Sequence, residues 1–183
     1  MLFGLILSLV LFFGLAETHS SNSGNEKSPA ELRSGTLQKM IVKSGSATME
    51  IDLNRLNGVN SMTKEAETLD FAVALNSFFP IVVFENALRG PEPGSMRLIA
   101  QSNIALPGLL SESLNQLSIE KLDSSAPFDL VVRDGESGFL FFNVEGDLYD
   151  YDAGAQLLSI QGGRLLISKE FAKELGRYRR QRV

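Results

Sequence analysis

Cysteine and tryptophan are absent from this 183-residue sequence, and histidine occurs once, as His19. Without cysteine the chain has no disulfide, no thiolate nucleophile and no thiolate metal ligand. His19 lies in a polar stretch near the amino terminus, so we expect the folded part of the chain to contain no imidazole. A Ser-His-Asp triad, a Cys-His dyad and a His-ligated zinc or copper site are therefore excluded from that part.

Positive charge is also scarce, because 17 Lys and Arg stand against 22 Asp and Glu and give a net charge of -5. A nucleic-acid partner needs Lys and Arg clustered over one face, so the composition predicts no such partner. Four arginines do fall together in "RYRRQRV", residues 177–183. Such a tail could meet anionic lipid, glycan or nucleic acid, but a solvated basic tail is the favoured interpretation.

The amino-terminal segment "MLFGLILSLVLFFGLA" has no charged side chain, and its apolar run is shorter than the roughly 20 residues that span a bilayer. Gly14 and Ala16 supply the small residues that a signal peptidase accepts at -3 and -1. Residues 1–16 are therefore predicted to be a signal peptide cleaved after Ala16, with Ser20 as the second choice. An uncleaved anchor or a buried segment is the alternative. The prediction implies a secreted or extracellular protein with no stable membrane span after cleavage.

The residues after the signal divide into a linker and one β domain. Residues 17–34 are rich in Ser, Asn, Glu and Gly and are predicted to be flexible. Residues 35–176 are mostly short runs of period two separated by Gly, Pro, Asn and Asp, as in "SATMEIDLN". This pattern predicts a mainly β fold, an antiparallel β-sandwich or barrel-like sheet with a short carboxy-terminal helix.

Local turn and cap signals predict two hairpin turns and both ends of the last helix. Ser44 with Gly45, and Gly162 with Gly163, are typical of hairpin turns between two strands. Ser168 is predicted to cap the last helix at the amide of Phe171, and Gly176 to end it.

The densest acidic group is "EGDLYDYDAG", residues 145–154. Asp147, Asp150 and Asp152 are candidate calcium ligands, since calcium prefers oxygen donors, although the spacing matches an EF-hand loop poorly. In an extended strand Tyr149 and Tyr151 would face the core and Asp150 and Asp152 the solvent, so an ordinary hairpin is the favoured alternative. A carboxylate pair of the glycosidase kind is a further option. No cofactor is expected other than this possible calcium ion.

Three runs of the β domain, "SGTLQKMIVKSGSATMEIDLNRLNG", "FFPIVVFENALRGPEPGSM" and "GFLFFNVEGDLYDYDAGAQLLSIQGGRLLISKEFAKELG", resemble the amino-terminal module of long exported bacterial proteins of uncharacterised function. The resemblance covers about Ser34 to Gly176 and brings no assigned catalytic residues. Further sequence follows this module in those proteins, so the resemblance implies that this chain is a fragment of a longer protein.

Taken together, these patterns predict an exported structural or ligand-binding β module without catalytic activity, which recognises an extracellular or cell-surface ligand. The alternatives are a carboxylate-based, glycosidase-like hydrolase and a calcium-binding extracellular module. A hydrolase would need two acids roughly 5 to 10 Å apart in a cleft.

Overall fold

A computed structural model describes residues 5–15, 35–56, 66–101, 106 and 108–181. The predicted linker, His19 and both predicted cleavage sites lie outside the described residues. Residues 5–15 of the predicted signal peptide are described, and they form a strand within the sheet.

The described chain forms eleven strands, all in one sheet. They are β1 (Leu5–Leu15), β2 (Leu37–Asp52), β3 (Ala66–Val73), β4 (Pro80–Phe84), β5 (Ala87–Pro91), β6 (Gly94–Ala100), β7 (Leu117–Lys121), β8 (Leu130–Asp134), β9 (Leu140–Glu145), β10 (Leu148–Asp152) and β11 (Leu157–Ile167). The helices are α1 (Leu53–Leu56), α2 (Gly108–Glu112) and α3 (Lys169–Gln181), with a 3₁₀ turn at Leu114–Gln116.

Eight of these strands form a ring in the order β1-β11-β9-β8-β7-β6-β3-β2, which closes because β1 also pairs with β2. Every pairing is antiparallel. The predicted mainly β fold with a short carboxy-terminal helix is thus confirmed, in its barrel-like form. The sheet continues beyond one end of the ring, where β4 pairs with β2, β5 with β4, and β10 with β11.

The interior of the ring is filled by the apolar side chains that period two directs inward. In β2, for example, Ala47, Met49 and Ile51 are buried at alternate positions. The large fully buried side chains include Phe71, Phe79, Phe141, Phe142, Phe171, Leu7 and Leu11. The core therefore draws on every part of the described chain, from β1 to α3.

Both predicted glycine hairpins are wrong, because a single strand runs through each glycine. Strand β2 continues through Gly45, and β11 continues through Gly163. Each glycine is needed for close packing rather than for a turn. A Cβ on Gly45 would stand 2.5 Å from the carbonyl oxygen of Val10, and one on Gly163 would stand 2.6 Å from Cγ1 of Val144.

Helix α3 packs its apolar side on the sheet at β9. Ser168 accepts a hydrogen bond at Oγ from the amide of Phe171 at 2.9 Å, so the predicted cap is confirmed. Its hydroxyl also donates to the carbonyl of Leu140 at 2.5 Å, which fixes the start of the helix to β9. The predicted end at Gly176 is wrong, since the helix continues to Gln181.

Among the helices that the structure describes, none is both long enough and apolar enough to cross a bilayer.

Candidate functional site: the acidic segment and a buried lysine

The acidic segment, residues 145–154, lies along one side of β11. Strands β9 and β10 pair one after the other with this side of β11, β9 with residues 164–167 and β10 with residues 157–161. Gly146 between them has a φ of 76°, a left-handed conformation that glycine adopts without strain. The acidic segment therefore runs from the end of β9 through a bend at Gly146 into β10 and the turn after it.

Side chains alternate along β10 as the sequence predicts, and this part of the hairpin interpretation is confirmed. Tyr149 and Tyr151 are half-buried against the core, while Asp150 and Asp152 are exposed. The Tyr151 hydroxyl lies 3.2 Å from Sδ of Met40 on β2. The tyrosines thus anchor β10 to the body of the sheet, and the two aspartates face solvent.

The three predicted calcium ligands do not share one face. Asp147 interacts with the hydroxyl of Tyr149, on the face opposite to Asp150 and Asp152. Asp152 uses Oδ1 to accept hydrogen bonds from the amides of Gly154 at 2.8 Å and Ala155 at 3.0 Å. Within the described residues no group of three or more His, Cys, Asp or Glu side chains could hold a metal ion. Calcium binding stays a prediction.

Beneath the tyrosine face lies a cluster that the sequence did not predict, made of Lys121, Asp129, Asp147 and Tyr149 and here called the Lys121 cluster. Lys121 Nζ is buried and lies 3.1 Å from Oδ1 of Asp129 and 2.9 Å from the carbonyl of Leu122. The hydroxyl of Tyr149 donates to the other carboxylate oxygen of Asp129 at 3.4 Å. The cluster therefore ties β10 to the ends of β7 and β8.

Electrostatics in the Lys121 cluster keep the phenol protonated. Burial raises the pKa of Tyr149 far above its ordinary value, and the hydrogen bonds and negative charges of Asp147 and Asp129 raise it further. A phenol with a raised pKa donates a hydrogen bond but does not act as a base near neutral pH. Oδ2 of Asp147 is buried and has no hydrogen-bond partner among the described residues.

The position of Lys121 in the alternation of β7 is a sequence signal for its burial. In "LSIEK" the side chains of Leu117, Ile119 and Lys121 occupy one face of β7, and all three are buried. A lysine in phase with buried apolar residues requires a partner, because an unpaired buried charge is costly. Asp129 lies eight residues further on, across a loop, and period two alone does not place it there.

Asp134 is a buried acid at the end of β8. Its Oδ1 accepts hydrogen bonds from the amides of Glu136 at 2.9 Å and Ser137 at 2.6 Å and from the hydroxyl of Ser137 at 2.9 Å. Burial acts to raise the pKa of this carboxyl, but hydrogen bonds from Ser137, Ser113 and Glu136 outweigh burial and hold the pKa below its ordinary value. Asp134 therefore holds its own turn together as a carboxylate.

A polar pocket of about 340 Å³ lies where the β4–β5 turn meets the start of β2. Its lining residues are Thr36, Gln38, Glu85 and Asn86. Glu85 and Asn86 have φ values of 50° and 63°, which belong to a tight two-residue hairpin turn. Only one of the four lining side chains is an acid, so this pocket does not offer the carboxylate pair that glycoside hydrolysis uses.

The chemistry open to these groups is limited by their partners. Asp129 is neutralised by Lys121, and Tyr149 stands against Asp129 and Asp147. A general acid and a nucleophile or base need access to a substrate between them. The groups of the Lys121 cluster instead contact one another, and the exposed acids of the segment, Asp150 and Asp152, project from a sheet surface.

Comparison of the chain with protein-family models, with curated proteins and with solved structures finds no match.

Proposed function

We propose that this protein is an exported, non-catalytic β module that acts by surface recognition or as a structural unit. The observation that carries the proposal is that two buried charged groups, Lys121 and Asp134, are held by partners within the fold. Lys121 is paired with Asp129, and Asp134 accepts hydrogen bonds from amides within its own turn. The side chains that fill the ring are apolar. Charged groups that are held by such partners leave little for acid–base chemistry.

Export is supported by the charge-free amino-terminal segment and by the small residues Gly14 and Ala16 before the predicted cleavage site. Amino-terminal sequencing of the protein recovered from the medium of an expressing bacterium tests this part. A mature chain that begins at Glu17 or Ser21 is the expected result, and an intact Met1 on cell-associated protein would contradict it.

The exposed face of β10 is the recognition surface that we assign to the module. Asp150 and Asp152 project from it, and Leu148 beside them is 72% exposed. An acidic face with one apolar side chain suits a basic or neutral ligand better than an anionic one, because like charges repel. The net charge of -5 favours the same choice.

A binding assay with a matched pair of variants tests the recognition surface. The full-length chain would be applied to an array of neutral, basic and acidic glycans and to synthetic basic peptides. We expect binding that Asp150→Lys abolishes and that Asp123→Lys leaves unchanged, since Asp123 is also exposed but lies in the β7–β8 loop. Equal loss of binding in both variants would show a non-specific charge effect and remove β10 as the site.

The absence of catalysis is tested with chromogenic glycosides. We expect no turnover above that of Asp129→Asn and Asp147→Asn, which remove the two acids of the Lys121 cluster. Turnover by the unmodified chain that either substitution abolishes would establish the hydrolase alternative instead.

A further inference from the structure

Strand β1 occupies a slot between β2 and β11. From Ile6 to Leu15 it pairs with β2, and from Leu5 to Phe12 it pairs with β11. Leu7 and Leu11 are buried, 1% and 0% exposed, so β1 supplies core side chains as well as backbone pairing. The slot is thus defined on three sides, by the edges of β2 and β11 and by the apolar interior.

The slot has one glycine in each neighbouring strand, Gly45 in β2 and Gly163 in β11. Gly45 of β2 is the partner of Leu11, and a Cβ there would stand 2.7 Å from Cδ2 of Leu11. Gly163 of β11 is the partner of Leu7, and a Cβ there would stand 3.6 Å from Cβ of Leu7. Both glycines lie inside strands, where glycine is otherwise unfavourable. Gly45 therefore fits a close approach by a strand in the slot, whereas the tight contact at Gly163 is with Val144 of β9.

Strand direction explains why the ring needs a strand here. Because β1 is antiparallel to both β2 and β11, those two strands run in the same direction. Direct pairing of β2 with β11 would create a parallel pair in a sheet whose other pairs are all antiparallel, with a different hydrogen-bond pattern. A chain that lacked β1 would instead present two unpaired strand edges and uncover the partners of β1, such as Met49, Ile160 and Leu158.

Cleavage of a signal peptide after Ala16 would remove β1 and open this slot. We propose that the slot between β2 and β11 is a strand-acceptor site, and that in the exported chain it holds an extended apolar strand supplied by another polypeptide, with β1 marking its register. The inference rests on the proposed export. Addition of a strand to exposed edges gives affinity through main-chain hydrogen bonds and specificity through alternate side chains.

The chemistry of the occupant follows from β1. It runs antiparallel to both neighbours and extends over about eleven residues without a charge, as residues 5–15 do. It carries leucine-sized side chains at two inward positions four residues apart, where Leu7 and Leu11 lie. Its backbone lies against Gly45, so a bulky side chain at position 45 would exclude it.

The test begins with the full chain, into which a site for a specific protease is inserted within residues 17–34. After cleavage the protein is unfolded and refolded in excess fluorescent peptide with the sequence of residues 5–15, extended by lysines for solubility. We expect the refolded protein to retain one labelled peptide per chain. A matched peptide with Leu7→Asp and Leu11→Asp should not be retained.

Two results would overturn the inference. The cut chain could refold as a monomer with the melting temperature of the uncut chain and without any peptide, which would show that the slot closes by itself. Alternatively, it could refold as a peptide-free dimer, which would show that a second copy fills the slot. Export is decided separately by amino-terminal sequencing, so its failure and the failure of the acceptor site are distinguishable.

Discussion

At the scale of single residues, glycine is where sequence patterns and tertiary structure diverge most. Gly45 and Gly163 sit in short polar stretches that are typical of turns, yet both lie within strands. A missing side chain serves equally for a tight turn and for a close approach by another strand. Only knowledge of the neighbouring strands, β1 beside Gly45 and Val144 of β9 beside Gly163, separates the two uses. By contrast, the alternation of Tyr149 with Asp150 was predictable, because period two depends on neighbours alone.

Gly45→Val changes the free energy of unfolding in a direction that depends on whether β1 lies beside Gly45. Valine favours strands, so it would be tolerated if the space beside Gly45 were open. With β1 in place the new side chain meets Val10 and Leu11, and we expect a loss of about 1–3 kcal/mol in the free energy of unfolding. Denaturant unfolding of the full chain measures it. Ser46→Val, at the exposed next position, is the control and should change stability by less than about 0.5 kcal/mol.

Asp134 predicts a pH dependence of stability. Its pKa is depressed in the folded chain, so its contribution is present above the ordinary carboxyl pKa and is lost as pH falls through the folded value. We expect Asp134→Asn to be less stable than the unmodified chain at pH 7, and the difference to vanish in strong acid. Melting curves of both proteins from pH 7 down to pH 2 measure this. A difference that persisted unchanged at the lowest pH would contradict the assignment.

At the scale of elements, helix α3 shows which of its two ends the capping rules predict. Ser168 was identifiable from its position before Lys169 and Glu170, and its bond to the amide of Phe171 is present. The end of the helix was not identifiable from Gly176, because glycine stops a helix only where the chain adopts a left-handed conformation there. The helix instead continues to Gln181.

Ser168→Ala removes both the cap of α3 and the bond from its hydroxyl to the carbonyl of Leu140. We expect a loss of about 1–2 kcal/mol, since a lost N-cap alone costs about 1 kcal/mol. Ser168→Thr retains both the capping acceptor and the donor to Leu140, so its loss should be smaller. Urea unfolding of the three proteins compares them, and equal losses in the two variants would show that the two hydrogen bonds of the hydroxyl contribute nothing.

The alternation of side chains along β10 determines what we expect from a calcium experiment. Asp150 and Asp152 face solvent, whereas Asp147 interacts with Tyr149 on the opposite face. We therefore expect the same melting temperature in millimolar calcium and in chelator. A ligand at 100 times its dissociation constant would stabilise by about 2.7 kcal/mol and raise the melting temperature by several degrees. A rise of that size would establish the calcium site and contradict the separation of the aspartates.

At the scale of the whole molecule, the sequence was sufficient for the class of fold but not for its closure. Short runs of period two predict an antiparallel sheet, and the described strands form one. Which strands meet depends on pairings between distant segments, such as β1 with β11, and no local pattern encodes them. The charge-free segment 5–15 illustrates the ambiguity, since an apolar run of that length suits a signal peptide and a buried strand equally.

Hydrogen exchange of the full-length chain tests the central claim, that residues 5–15 close the ring as a strand between β2 and β11. We predict that the amides of Leu7 to Phe12 are protected to the same order as those of β8, which lies across the ring. Exchange of these amides at the rate of an unstructured chain, while β8 remains protected, would contradict the claim.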